Sequence, residues 1–214
     1  MMQRKSGVRR FWLAGVVLLC PALIACSAGE PSKGFINPAL MDAYIPLSQS
    51  RMLVLGRWGA ALVVAPNVAV TNDHNLNLIP SDRVLARSRD YDLLFFRTGQ
   101  QAVPDFATAL AGEQVIAYGQ GSDHDLREAK GMVAALDEYV APRCADCRTQ
   151  RAITFDADAG GGFSGGPVVD AATGAVLGVT FGYLNGQGVK GGRRMYAYDI
   201  GLVTAEMHRL LDAR

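Results

Sequence analysis

The chain has 214 residues, of which 50% are hydrophobic and 24 are glycine, with a formal net charge of +1. That composition excludes a disordered tract, which carries far fewer apolar residues, and a collagen-like repeat, which needs a strict glycine period. Near-neutral charge gives no reason to expect a nucleic-acid partner, and the Arg193-Arg194 pair reads as solvated surface.

Residues 1–25 form a leader. Arg4, Lys5, Arg9 and Arg10 precede the apolar run Phe11 to Ile24, which is short for a membrane span of about 20 residues but suits the core of an export signal. The run ends in Leu23-Ile24-Ala25-Cys26, which resembles the bacterial lipoprotein box, so Cys26 is the expected lipid attachment point. The alternative is an ordinary signal peptide cleaved near Ala25 or Ala28. The lipoprotein reading implies anchoring to a membrane through acyl chains, facing the periplasm. The non-acidic Ser27 resembles the signal for onward transport to the outer membrane. The leader holds four of the 21 basic side chains and none of the 20 acids, so the remaining 189 residues have a formal net charge of −3.

Residues 26–40 are polar and rich in Gly and Pro, and are expected to act as a lipidated tether. From there to about residue 200 the apolar runs are short and broken by turn residues. They include Ala60 to Ala65, Val68 to Thr71, Leu93 to Phe96, Gln114 to Tyr118, Met132 to Leu136, Ala152 to Phe155, Pro167 to Val169, Ala175 to Phe181 and Met195 to Ile200. Short strands with frequent Gly, Pro and Asn punctuation predict an all-β barrel or sandwich. Only the tail is helical in pattern, with apolar residues at 202, 203, 207, 210 and 211 and Asp199 or Thr204 as the cap.

Cys144 and Cys147 form a C-x-x-C pair. In an oxidising compartment a disulfide closing this small loop is the expected state. Redox catalysis and zinc binding are the alternatives. The flanking residues give no strand-to-helix turn, and no second ligand pair is present for a metal. No metal and no cofactor are implied.

The densest motif is Gly160-Gly161-Gly162-Phe163-Ser164-Gly165-Gly166-Pro167. A serine hydroxyl is a weak nucleophile near neutral pH and needs an adjacent base and donors for the developing oxyanion. Glycines on both sides let the backbone turn its N–H groups inward and let neighbouring chain approach closely. Upstream, two apolar strands joined by Pro66-Asn67 lead into Thr71-Asn72-Asp73-His74, and Asp92 stands directly before the apolar run Leu93 to Phe96. Together these residues resemble the His, Asp and Ser elements of the trypsin-like (chymotrypsin-fold) serine proteases, in chain order. Asp156-Ala157 before the serine and Asp170 to Gly174 after it extend the resemblance, which covers roughly residues 45–200.

The resemblance implies two packed six-stranded-type antiparallel β-barrels, about 41–108 and 109–200, followed by a helix at about 201–213. Only 18 residues separate His74 from Asp92, so the first barrel is expected to be trimmed. Carried over residue by residue, Ser164 is the nucleophile, His74 the base and Asp92 the orienting acid, with Asp90 as its rival. The backbone N–H groups of Gly162 and Ser164 form the oxyanion hole. His124 and His208 read as surface residues, and Asp73 is a departure from the family pattern that puts a second carboxylate beside His74. Thr180, Phe181 and Gly182 line the substrate strand, and Asp158, six residues before Ser164, sits at the pocket floor, where it would favour Arg or Lys before the scissile bond. The alternative for Asp158 is a solvated surface acid. In digestive members an acid just before the nucleophile pairs with a newly cleaved N-terminus. Phe163 occupies that position here, so activation by N-terminal cleavage is not expected.

The implied activity is serine endopeptidase action on peptide or protein substrates, with no appended peptide-binding domain. An inactive binding module on the same scaffold and an esterase or acyltransferase using the same triad are the two other function classes.

Overall fold

A computed structural model describes residues 28–51, 54–140, 150–188 and 192–213. Cys26, Cys144 and Cys147, the expected lipid site and disulfide, lie outside the described residues.

The first lobe is a five-stranded antiparallel sheet. Its strands are β2 (Tyr44–Arg51), β3 (Val54–Ala65), β4 (Val68–Thr71), β5 (Val84–Arg87) and β6 (Leu94–Arg97), in spatial order β2-β3-β4-β6-β5. β3 and β4 form a hairpin across Pro66-Asn67, where Asn67 takes a φ of 65°, a left-handed conformation that Asn tolerates better than most residues. Residues Ala60 to Val64 of β3 are buried on both faces, which explains why the sequence there is a continuous apolar run rather than an alternation. β2 and β5 remain the edges of this sheet. The trimmed first barrel expected from the short His74–Asp92 interval is thus an open sheet.

The second lobe closes. β7 (Gln114–Gln120), β8 (Leu126–Val140), β9 (Gln150–Ala157), β10 (Pro167–Asp170), β11 (Val176–Asn185) and β12 (Arg193–Asp199) run in the order β8-β7-β10-β11-β12-β9, and β9 pairs back onto β8. Inward-facing Val115, Val133, Phe155, Val168, Leu177 and Met195 fill the barrel together with Phe163 of the glycine-rich turn. A second, larger core joins the first sheet to β11, β12 and the tail helix through Val179, Phe181, Tyr198, Val203 and Met207. The all-β expectation with a C-terminal helix holds.

Residues 28–36, expected to belong to a tether, lie along the second lobe. β1 (Glu30–Pro31) pairs with Glu128 and Arg127 of β8, and Phe35 packs 4.8 Å from Tyr118, ring centre to ring centre. β8 has room for this partner because β9 pairs with it only from Gly131 onward.

A short helix, α1 (Ala39–Ala43), precedes β2. The tail helix α2 (Ile200–Leu211) starts where Asp199 accepts hydrogen bonds from the Gly201 and Leu202 N–H groups, a standard N-cap that satisfies two orphan donors. It buries Ile200, Val203, Glu206 and Met207, and among the described residues no helix is long and apolar enough to cross a membrane. The buried acid has a purpose. Glu206 accepts from the Ser88 hydroxyl at 2.6 Å and from the Arg209 guanidinium at 2.6 and 2.7 Å, while Ser88 in turn accepts the N–H groups of Asp90 and Tyr91. The helix at the chain's end therefore braces the loop that leads to Asp92. Burial alone would push the Glu206 carboxyl up, but the bonds from Arg209 and Ser88 outweigh it and hold its pKa below 4.5.

Glu206→Ala is expected to cost about 1–3 kcal/mol in urea unfolding, the loss of charged hydrogen bonds in a buried setting. Because the folded-state pKa is depressed, the stabilisation is complete above the ordinary carboxylate value and is lost as pH falls through the folded value. The stability gap between parent and variant should be widest at neutral pH and narrow below about pH 4.5.

Candidate active site

β4 delivers its last residue, Thr71, and then Asn72 to a fully buried position, and the chain turns into a 3-10 segment, Asp73–Leu78. Thr71 donates its hydroxyl to the Ala60 carbonyl at 2.7 Å, and the Asn72 amide donates to the Asp92 carbonyl at 3.1 Å. These two bonds set the turn on which His74 stands. His74 Nδ1 is 2.7 Å from Asp92 Oδ2, and the His74 N–H donates to Asp92 Oδ1 at 3.0 Å. An ionised carboxylate can only accept, so this pair keeps a proton on Nδ1 and leaves Nε2 as the free acceptor of the neutral ring. Asp92 is itself held by its N–H, which donates to the Tyr198 hydroxyl of β12 at 3.0 Å.

Asp73, the departure from the expected pattern, does not turn toward the imidazole. It makes a two-pronged pair with Arg87 at 2.6 and 2.7 Å. Asp90 faces Arg209 at 3.6 Å, so Asp92 rather than Asp90 meets His74. His124 lies in an exposed turn with φ 69°, and His208 lies on α2 at 3.5 Å from Asp212.

The glycine-rich turn is shaped by close approach. Gly162 and Gly165 have φ of 91° and 85°, and a Cβ on them would stand 2.0 Å from the Gln120 and Ala60 carbonyl oxygens respectively. No L side chain fits there. Ser164 projects between them. Its carbonyl accepts from the Ala60 N–H at 2.9 Å and from the Asn75 amide at 3.1 Å. The Phe163 N–H donates back to Gly160 at 3.1 Å and the Gly162 carbonyl accepts from Gln120 at 3.1 Å. The N–H groups of Gly162 and Ser164 donate to no acceptor among the described residues. His74, Gly161, Gly162 and Ser164 line one open cleft of about 350 Å³, with Arg57 and Trp58 on its rim. Among the described residues no hydrogen bond joins the Ser164 hydroxyl to the ring, a link that is commonly long in unliganded enzymes and tightens on substrate. Nor do the described residues hold any cluster of three or more His, Cys, Asp or Glu able to take a metal.

The expected substrate residues divide. Thr180 pairs with the glycine-rich turn, its carbonyl accepting from the Gly165 N–H at 2.8 Å and its N–H donating to Gly166 at 2.9 Å. Phe181 stacks on Tyr198 with ring centres 4.1 Å apart, and Gly182 follows at a bulge in the β11–β12 pairing. None of the three lines the cleft of His74 and Ser164. Asp158 lies apart from that cleft. Its side chain is 90% exposed and 3.5 Å from Arg193, and it lines a different cleft with Asn185, Gly186 and Gly192. Counting back from the serine assumes one loop path. Here the Asp158 carbonyl is taken by the Gly29 N–H at 2.7 Å, and Arg193 reaches past the carboxylate to the Ala159 carbonyl at 2.8 Å, so the carboxylate faces solvent. Asn75 and Tyr198 are site residues that sequence reasoning missed. Asn75 had a faint signal, a polar side chain next to His74 in a turn that must be buried, whereas Tyr198 had none.

The model of the trypsin-like peptidase domain matches residues 59–179, which spans β3, the His74 turn, Asp92 and the whole Ser164 motif. The chain belongs to the trypsin-like peptidase family. It is a serine endopeptidase by family, acting on peptide or protein substrates. No curated protein matches it. Solved structures of similar fold include the active form of the Rv3671c protease from M. tuberculosis, with a TM-score of 0.65 and 19% identity over 85% of this chain and 88% of that one. The protease domain of MamO from Magnetospirillum magneticum has a TM-score of 0.61 and 17% identity over 79% and 97%. The HtrA-type protease AlgW with a tripeptide has a TM-score of 0.65 and 17% identity over 82% of this chain but only 62% of its own. At such identities the likeness is one of fold. In this trypsin-like peptidase the His74–Asp92 pair is anchored from the second lobe by Tyr198, a contact with a direct test. Tyr198→Phe leaves the Asp92 N–H without its acceptor and should cost about 1–3 kcal/mol of local stability. It should lower kcat on a peptide substrate several-fold with little change in KM, as steady-state kinetics would show.

Proposed function

We propose that Ser164, His74 and Asp92 form the catalytic triad of this peptidase and hydrolyse peptide bonds through an acyl-enzyme. The observation that carries this reading is the 2.7 Å contact of His74 Nδ1 with Asp92 at a cleft that also holds Ser164. Nε2 accepts the proton of the Ser164 hydroxyl as its oxygen attacks the scissile carbonyl. The same proton then passes to the leaving amine, and a water repeats the sequence to free the acid. Asp92 stays ionised throughout, holding the tautomer and offsetting the imidazolium charge. The N–H groups of Gly162 and Ser164 receive the oxyanion, a role supported by their having no acceptor within the described residues. Of the stretch Thr180 to Gly182, the backbone of Phe181 and Gly182 is proposed to pair with the extended substrate, since the Thr180 N–H and carbonyl are already bonded to Gly166 and Gly165.

A preference for Arg or Lys rested on Asp158 as a pocket floor. Its exposure and its pairing with Arg193 favour a pocket without a buried carboxylate, so a basic preference through Asp158 is expected to be weak. We place the enzyme at a membrane facing the periplasm, tethered through a lipid on Cys26, on the sequence pattern alone. Cys26→Ser should then abolish acyl labelling and release the protein into the soluble fraction, and unchanged labelling would rule out that site.

Two measurements test the chemistry. Ser164→Ala and His74→Ala should each lower kcat by about 10⁵–10⁶, with the double variant hardly worse than either, as expected of residues that act as one unit. Fluorophosphonate should label the parent and neither variant. Full hydrolysis by Ser164→Ala would overturn the assignment. Asp158→Ser, assayed on paired Arg and Ala peptides, should change the ratio of their kcat/KM by less than about twofold, because a solvated charge discriminates little.

A further inference from the structure

The turn that carries Ser164 leaves the barrel at the end of β9 and must cross from Asp158 to Gly165 with little regular pairing of its own. Three separate contacts on this stretch come from Ala28 and Gly29, just before β1. The Gly29 N–H donates to the Asp158 carbonyl at 2.7 Å, at the point where β9 has stopped pairing with β8. Ala28 sits against Gly160, where a Cβ would come within 2.8 Å of the Ala28 methyl. Gly29 lies flat on the ring of Phe163, so that a Cβ there would stand 2.6 Å from Phe163 Cζ, and its φ of 75° suits glycine. The base of the same ring meets Gly119, where a Cβ would lie 2.6 Å from Phe163 Cγ. Phe163 has no exposed surface. The segment is held in place beyond the turn by the β1–β8 register at Glu30 and Pro31, by the Ser32 N–H to the Leu126 carbonyl at 2.9 Å and by the Ser32 hydroxyl to Glu128 at 2.6 Å.

We propose that Ala28–Pro31 is a built-in positioning strap for the nucleophile turn, and that Gly29 on Phe163 sets the direction of the Gly162 and Ser164 N–H groups. This rests on the protease reading above. The strap fixes both ends of the crossing, the Asp158 carbonyl at the start and the Phe163 ring next to the serine, by a backbone bond and apolar contact. Among the described residues, its contacts on the turn use a backbone N–H and apolar surface rather than an ion pair. The turn is then ordered once residues 28–31 dock.

The test is Gly29→Pro in the full chain, which removes the N–H that reaches Asp158 and fixes φ near about −65°. Gly29→Ala serves as a milder variant that keeps the N–H but strains φ, and Lys33→Gln, exposed and outside the strap, as a control. We expect kcat to fall about tenfold or more in Gly29→Pro, the scale of a displaced oxyanion donor. KM should stay within about twofold, since binding on both sides of the turn is kept. Gly29→Ala should fall in between, and the control should match the parent. A second readout needs no activity. A Cβ at Gly162 would lie 2.6 Å from Trp58 Cδ1, so Trp58 reports on the turn. The chain has two tryptophans, so in a Trp12→Phe background Trp58 is the sole emitter. Its emission should shift in Gly29→Pro, in the Ser164→Ala background as well. A folded Gly29→Pro protein with parental kcat, or a loss of kcat with unchanged Trp58 emission, overturns the strap. A chain that hydrolyses no peptide even with Gly29 intact, yet shows the emission shift, counts against the protease reading and leaves the strap standing.

Discussion

The carbonyl of Ser164 accepts one hydrogen bond from the Ala60 N–H and another from the Asn75 side chain, and both donors belong to the other lobe. Ser164, borne by the closed barrel, is thereby referenced to the strand and turn of the open sheet that carry His74. Gln120 adds a third link of the same kind. Its side chain donates to the carbonyls of Leu47 and Gly59 in the first lobe, while its N–H donates to the Gly162 carbonyl. The glycines at 162 and 165 are required because these links pull neighbouring backbone too close for a Cβ. The relative placement of Asp92, His74 and Ser164 therefore depends on buried polar contacts across the lobe junction, where an unmade bond costs more than a made one contributes.

Traffic across the junction also runs the other way. Tyr198 of the closed barrel accepts the Asp92 N–H, and α2, which follows β12, clamps the loop before Asp92 through Glu206 and Ser88. An open five-stranded sheet has fewer internal constraints than a closed barrel. The first lobe offsets this by sharing its core with β11, β12 and α2, since Val179, Phe181, Tyr198 and Val203 pack into the same cluster as Leu62, Val70 and Phe95. The exposed ion pairs, such as Asp73 with Arg87, contribute about 1 kcal/mol or less each. Their use at this site is directional. Arg87 turns the Asp73 carboxylate away from the imidazole and leaves Asp92 as its partner.

What could be read from the amino-acid order alone was whatever local stereochemistry dictates. Short apolar runs between Gly, Pro and Asn identified an all-β chain, because side-chain alternation and turn residues act within a few positions. The tail helix and its Asp199 cap were legible for the same reason, as was the glycine-rich turn around Ser164. The brief His74–Asp92 interval announced a reduced first lobe, since so few residues cannot build additional strands. Asp92 could be preferred to Asp90 by its position directly before the apolar run Leu93 to Phe96.

Tertiary structure decided everything that depends on which distant segments meet. Asp158 stands six residues before Ser164 as the sequence pattern requires, yet Gly29 takes its carbonyl and Arg193 passes its side chain, and the carboxylate points to water. Asn75 and Tyr198 bear on the site only because folding brings them to Ser164 and Asp92, 89 and 106 residues away along the chain. The segment at residues 28–36 has tether composition and acquires a fixed course only where β9 leaves an edge of β8 unpaired. Local sequence specifies torsion angles, whereas the partner of a backbone group or a carboxylate is set by register and loop path, which no single stretch of residues encodes.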